Sequence, residues 1–199
     1  MRVLVVGATG AVGSAVAQTL ADRGHEVVRV GRTRGEHRVD LTSDASVEAL
    51  FGVIGTVDAI VCTSGGMHFG HLASMRPADF DVGLQGKLLG QVRLALIGQH
   101  ALTDGGSITL TSGIDEPILQ AVNASAVNAA VEGFVRAAAI ELSRGVRINA
   151  VSPTVMTESL PTFGPFFPGY PSVPAARVAQ AYVRSIEGPQ TGRVYRVWE

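Results

Sequence analysis

The chain has 199 residues, 46% of them hydrophobic, with a formal net charge of −1. That length supports one domain, residues 1–199, with a substantial core, and the near-neutral balance argues against nucleic acid or an anionic membrane surface as partner. A single cysteine, Cys62, excludes an intrachain disulfide; with no signal-peptide layout and no apolar run of bilayer length, a cytoplasmic protein is expected.

Val3-Leu4-Val5-Val6 reads as a strand buried on both faces. Gly7-Ala8-Thr9-Gly10-Ala11-Val12-Gly13 follows directly, and Ala15-Val16-Ala17 with Leu20-Ala21 reads as a helix. Strand, glycine turn and helix together form a phosphate site. Residues without a Cβ let the backbone approach a pyrophosphate, and the helix N-terminus offers unpaired N–H groups and a positive dipole end. The spacing is G-x-x-G-x-x-G rather than G-x-G-x-x-G, and its place between strand and helix favours a dinucleotide over a plain tight turn.

Gly24 closes the first helix, and Glu26–Val30 forms a second strand ending at Gly31-Arg32-Thr33-Arg34. A dinucleotide fold meets the adenosine ribose about here. Arg32 and Arg34 stand where an acidic residue would accept from a ribose 2′-hydroxyl, and they could pair with a 2′-phosphate instead. The plainer alternative is two solvated loop arginines. A short third strand, Arg38-Val39, ends in Asp40-Leu41, and a helix capped by Ser43 or Asp44 buries Val47, Leu50, Phe51 and Ile54. The fourth strand, Val57–Cys62, runs into Thr63-Ser64-Gly65-Gly66, small residues that let a ligand pass close to the backbone.

Pro77 opens a long helix running to about His100. Its Gly83, Gly86 and Gly90 lower helix propensity, which points to close approach of a neighbouring backbone. Gly106–Ser112 reads as the fifth strand. A second long, alanine-rich helix then runs to about Ser143, and Val146–Val151 forms the sixth strand. In residues 154–173, Pro161, Pro165, Pro168 and Pro171 interleave with Phe163, Phe166, Phe167 and Tyr170. Prolines oppose regular structure there and the aromatics need something to cover, so the segment reads as a lid over the site or a clasp on the sheet edge. A helix at Pro174–Ile186 and a strand at Gly192–Val197 complete a doubly wound α/β sheet of expected order 3-2-1-4-5-6-7.

On Gly7–Gly13, Asp40-Leu41, Asp58 with Thr63-Ser64-Gly65, the strand ending at Ser112, Gly133-Phe134, and Arg147-Ile148-Asn149-Ala150-Val151-Ser152-Pro153, the chain resembles the short-chain dehydrogenases/reductases over essentially its whole length. The resemblance implies a Rossmann-like fold, a nicotinamide cofactor, a small-molecule substrate, and homodimers or homotetramers built on the two long helices. It also implies that Asp40-Leu41 flank the adenine, Thr63-Ser64-Gly65 the nicotinamide ribose, and Pro153, Val155 and Thr157 the carboxamide and phosphates. Thr154 replaces the family's usual glycine.

Four positions carry the family's chemistry: asparagine, serine, tyrosine and lysine. Tyrosine moves the proton, lysine lowers its pKa, and serine orients the carbonyl. Ser112 matches the serine. Anchored on Gly133-Phe134, the second long helix places Ala124 at the tyrosine and Asn128 at the lysine; shifted by one, it offers Ser125. No register supplies a tyrosine. Alignment of Asp79-Phe80-Asp81 puts Lys87 where asparagine belongs, so Asn and Lys stand exchanged. Of 16 lysines and arginines, Lys87 is the only lysine, and a compact ammonium is chemically distinct from a guanidinium. His68 and His71 are further proton-donor candidates on a loop, and no metal-ligand set is evident. The expected function is an NADP(H)-dependent oxidoreductase, NADP(H) being favoured over NAD(H), acting on a small carbonyl or alcohol. The alternatives are a catalytically silent NADP(H)-binding redox sensor and a subunit that keeps the fold only for its interface.

Overall fold

A computed structural model describes residues 1–199. In chain order the regular elements are β1 (Arg2–Val6), α1 (Ala11–Asp22), β2 (Glu26–Gly31), β3 (His37–Arg38), α2 (Asp44–Ile54), β4 (Val57–Cys62), α3 (Pro77–Gly83), α4 (Gly90–Gly98), β5 (Leu102–Thr111), α5 (Val122–Glu141), β6 (Arg147–Pro153), α6 (Leu160–Phe163), α7 (Ala175–Glu187) and β7 (Val194–Val197). The strands form one seven-stranded sheet, ordered β3-β2-β1-β4-β5-β6-β7. Every pairing is parallel. This is the expected doubly wound, Rossmann-like α/β fold.

The apolar runs of the strands have a physical cause in this layering. Successive side chains point to opposite faces, and both faces are covered. In β1, Leu4 and Val6 join one core with Val47 and Phe51 of α2, Leu94 of α4 and Val131 of α5. Val3 and Val5 join the other core with Val16 and Leu20 of α1 and Val178 and Tyr182 of α7. Burying one such side chain contributes about 1.5–3 kcal/mol, so both layers depend on uninterrupted apolar strands.

Several local expectations are corrected. The long helix after Pro77 is divided: between α3 and α4 a π-helical turn spans Leu84–Leu89, and a 3-10 turn follows at Gln99–Ala101. A neighbouring backbone approaches at Gly86, where a Cβ would lie 3.5 Å from the Gly66 nitrogen. At Gly83 the neighbour is instead the Asn123 side chain, and at Gly90 the Leu41 side chain and the Leu41 carbonyl both approach. β5 begins at Leu102 and ends at Thr111, so Ser112 lies just beyond it. The proline-rich segment is not wholly irregular. Pro161 and Pro165 occupy first-turn positions, where a missing N–H costs nothing, in α6 and in a 3-10 turn at Gly164–Phe166.

Candidate active site

The turn after β1 is shaped by its glycines. Gly7 has φ +88°, and a Cβ there would lie 2.6 Å from Thr63 Oγ1. A Cβ on Gly13 would overlap the Gly7 carbonyl, so α1 starts directly against the strand end. Gly10 is its N-cap, with no side-chain cap, and the first-turn N–H groups of Ala11, Val12 and Gly13 have no intrahelical acceptor. Thr63 closes the adjacent side, its N–H and hydroxyl both donating to the Val6 carbonyl. Thr9 is exposed at the mouth of this cradle. The donors and the missing side chains leave room for an anionic group, and these residues fit a pyrophosphate.

Beyond β2, Arg32, Thr33 and Arg34 are exposed. Asp40 closes its own turn, its carboxylate accepting from the Thr42 N–H and hydroxyl, which hold its pKa below the ordinary value. Leu41 points into the core, so its side chain faces away from the surface.

A cavity of ≈ 190 Å³ opens at the C-terminal ends of β4, β5 and β6. Val12, Thr63, Ser64, Gly65, Lys87, Ser112, Asn128, Pro153 and Val155 line it. Gly7, Thr9, Gly10, Ala11, Gly13, Arg32, Thr33, Arg34, Asp40, Leu41 and Thr157 do not. Thr157 is exposed, its N–H donating to the Val173 carbonyl.

Lys87 is brought to the cavity by the π-helical turn, a local widening often found at functional sites. It is 4% exposed. Its Nζ donates to Asn128 Oδ1 and to the Ser112 carbonyl, both at 2.7 Å, and lies 3.5 Å from Met67 Sδ. These acceptors are neutral, and burial lowers its pKa to about 8. Gly65 makes room for its stem: its φ is +152°, and a Cβ would lie 2.6 Å from Lys87 Cγ. Gly65→Ala should therefore lower stability by about 1–3 kcal/mol through backbone strain and overpacking. An unchanged urea midpoint would refute that account of Gly65.

The contact with Ser112 is through its carbonyl. The Ser112 hydroxyl donates to Glu132 Oε1 at 2.9 Å, and Glu132 is itself buried. Sequence reasoning missed this carboxylate, although it directly precedes Gly133 on α5. It also missed Gln91, whose amide donates to the Thr111 carbonyl and accepts from the Thr111 N–H, extending the β5 hydrogen-bonding edge sideways. Asn123 likewise anchors the loop after β4, accepting from the His68 N–H and donating to the Phe80 carbonyl.

No tyrosine lines the cavity. Tyr182 is buried in the core with its hydroxyl 2.6 Å from Thr111 Oγ1, and burial raises its pKa. Tyr170 donates to the Pro117 carbonyl, and Tyr195 to Gln190 Oε1. Ala124, matched above to the family tyrosine, lines the cavity beside Ser125. His68 and His71 are outside it. Phe69, Phe163 and Phe167 line the outer wall, and Phe69 stacks on Phe163 and Phe166 with centroids 5.5 and 4.7 Å apart.

A family model described as enoyl-(acyl carrier protein) reductase matches residues 7–169. The chain belongs to the short-chain dehydrogenase/reductase family of oxidoreductases. Among solved structures, the protein lin1944 from Listeria innocua is 44% identical with a TM-score of 0.97, each chain covered in full. A small-chain dehydrogenase in complex with NADPH is 28% identical with a TM-score of 0.88, over 99% of this chain and 96% of the other. An uncharacterized oxidoreductase of Mycobacterium tuberculosis is 27% identical over 184 residues, 79% of this chain and 68% of its own length. No helix of this family member is long and apolar enough to cross a membrane.

Proposed function

We propose that this protein is an NADP(H)-dependent reductase of a small carbonyl compound in which Lys87 is the proton donor. The observation that carries the reading is the Lys87 ammonium, buried on neutral acceptors at a cavity whose lining holds no tyrosine. The glycine cradle fits the cofactor pyrophosphate, with Gly7, Thr9, Gly10, Ala11, Val12 and Gly13 as its donors and close backbone. Arg32, Thr33 and Arg34 receive the 2′-phosphate, and Asp40-Leu41 border the adenine. Thr63, Ser64 and Gly65 border the nicotinamide ribose, with Pro153, Val155 and Thr157 beyond. The small-chain dehydrogenase that binds NADPH supports this choice. When bound, NADPH supplies the hydride that the carbonyl carbon accepts.

Lys87 donates a proton from Nζ to the carbonyl oxygen, and solvent reprotonates it afterwards. Asn128 Oδ1 and the Ser112 carbonyl fix the ammonium in place. The Ser112 hydroxyl, its proton committed to Glu132, offers the substrate lone pairs only. Residues 154–173 act as the lid of a single nucleotide-binding domain, Ser159, Phe163 and Phe167 closing the cavity from outside.

The pH profile tests this assignment. Reduction needs the ammonium form, so its rate should fall as pH rises through about 8. Oxidation of the alcohol needs the free amine and should rise over the same interval. A reductive rate flat from pH 7 to 10 on the order of a full titration would exclude Lys87. NADPH binding without turnover would return the site to the cofactor-sensor reading.

The protein also self-associates in this proposal. The outward face of α5 carries Val122, Ala126, Ala129, Gly133, Ala137 and Ile140, all exposed. Small residues there allow a second copy to pack closely in two-fold symmetry, as a dimer or tetramer. Gly83 and Gly90, by contrast, are buried within the chain. Light scattering at micromolar concentration should return a multiple of 20.7 kDa; a monomer would count against the α5 interface.

A further inference from the structure

We infer, building on the proton-donor reading above, that the substrate is an uncharged ketone or aldehyde bearing an aromatic or branched apolar group. Lys87 is the only ionisable residue lining the cavity. Two of its three N–H groups are committed to Asn128 Oδ1 and the Ser112 carbonyl, and the third faces Met67 Sδ, a weak acceptor. A substrate oxygen displaces that sulfur with gain, and there is room for one such oxygen.

A carboxylate or phosphate on the substrate would compete for the same N–H. No arginine, histidine or second lysine lines the cavity to hold it elsewhere. An anion seated on Lys87 takes the N–H that the ketone oxygen needs, and one seated elsewhere is buried unpaired, so anchoring an anion and donating a proton exclude one another here. The chain does place 15 further basic residues, all arginines, yet none reaches this cavity.

The remaining wall selects for apolar surface. Phe69 and Phe163 stack across the mouth, Phe167 stands beside them, and Met67 and Met156 supply polarisable sulfur against a ring. Asn128 Nδ2 makes no hydrogen bond within the chain and faces the same space, giving the carbonyl oxygen a second, neutral donor.

Three probes separate the charge and the ring. Benzoylformamide and benzoylformate share a ketone and a phenyl ring and differ in charge; pyruvamide keeps the neutral ketone amide and lacks the ring. In NADPH-consumption assays benzoylformamide should be reduced with a kcat/KM about tenfold or more above either of the others, because the carboxylate takes the Lys87 N–H in one case and apolar area is lost in the other. Phe163→Ala should weaken benzoylformamide by about threefold or more. Benzoylformate reduced as efficiently as the amide overturns the inference, as does pyruvamide matching benzoylformamide or, in titration calorimetry with NADP⁺ present, the absence of saturable binding by benzoylformamide. Selective binding of benzoylformamide without NADPH consumption upholds the ligand class and overturns the Lys87 proton-donor reading, so the two failures are distinct.

Discussion

Replacing Lys87 by methionine should reduce carbonyl reduction by roughly two to four orders of magnitude, the usual share of a positioned acid, while the fold stays intact. Methionine fits the volume of the lysine stem and lacks only the ammonium. The stability measurement is the sharper half of the experiment. The native pKa of about 8 lies below the ordinary 10.5, so the unfolded chain holds this proton more tightly than the native one. The buried charge therefore costs stability below pH 8, roughly 3 kcal/mol, and the cost is relieved as pH rises from about 8 to 10.5. Removing the ammonium also strands Asn128 Oδ1 and the Ser112 carbonyl, at about 1–3 kcal/mol each. At pH 7 these effects oppose one another and the net change is small. The difference in pH slope is not offset, because all other titrating groups are common to both proteins. Urea titrations should show wild type gaining on Lys87→Met between pH 8 and 10.5; parallel curves would mean that Lys87 is not buried in solution.

Loss of charge at Arg32 should bring NADPH affinity down by roughly tenfold to a hundredfold, the range of one charge-assisted hydrogen bond, and leave NADH affinity unchanged. Gly31 turns the chain so tightly that a Cβ there would overlap the Arg34 carbonyl. Arg32 and Arg34 consequently both stand on the surface beyond β2, and neither forms an ion pair within 4.0 Å. Arg32 also lowers the pKa of Asp40 through its charge, after the dominant bonds from Thr42, so an acidic group stands near it. Calorimetric titration of Arg32→Ser with both cofactors decides the matter. Equal affinities for NADPH and NADH in wild type would remove the 2′-phosphate assignment altogether.

The sheet order and layering were legible because they rest on local and additive signals. Runs such as Val3–Val6 and Val57–Cys62 carry the apolar pattern of strands covered on both faces, as in a parallel sheet, and the glycine turn announces where the first crossover begins. Lys87 and Asn128 could be brought together on paper because each follows a strand end by a countable helix. Which Ser112 atom the lysine meets lay beyond that count: it is the carbonyl, while the hydroxyl turns to Glu132. Nothing in a single sequence distinguishes a glutamate that faces a serine from one that faces water. Gln91 was hidden for a related reason, since its role depends on β4 pairing with β5 only as far as Thr109, which leaves the Thr111 N–H and carbonyl free for a side chain. The aromatic wall was visible as composition, but Phe69 lies about a hundred residues from its partners, too far for any periodicity to join them.

The wide turn at Leu84–Leu89 also governs how this helix can change length. In regular α-helix each residue advances the phase by about 100°. Here α3 and α4 are both seated, Gly83 against Asn123 and Leu94 in the core, with the extra breadth of the π turn absorbing the mismatch between them. A chain one residue shorter in this stretch would regain plain helix with both halves still seated. Leu94 and Ala95 would keep the layer they fill, and Lys87, which the widened turn carries, would leave the cavity. Insertions and deletions are normally absorbed in loops. In this fold a single-residue indel within a helix would act as a switch between a chemically equipped cavity and an inert one.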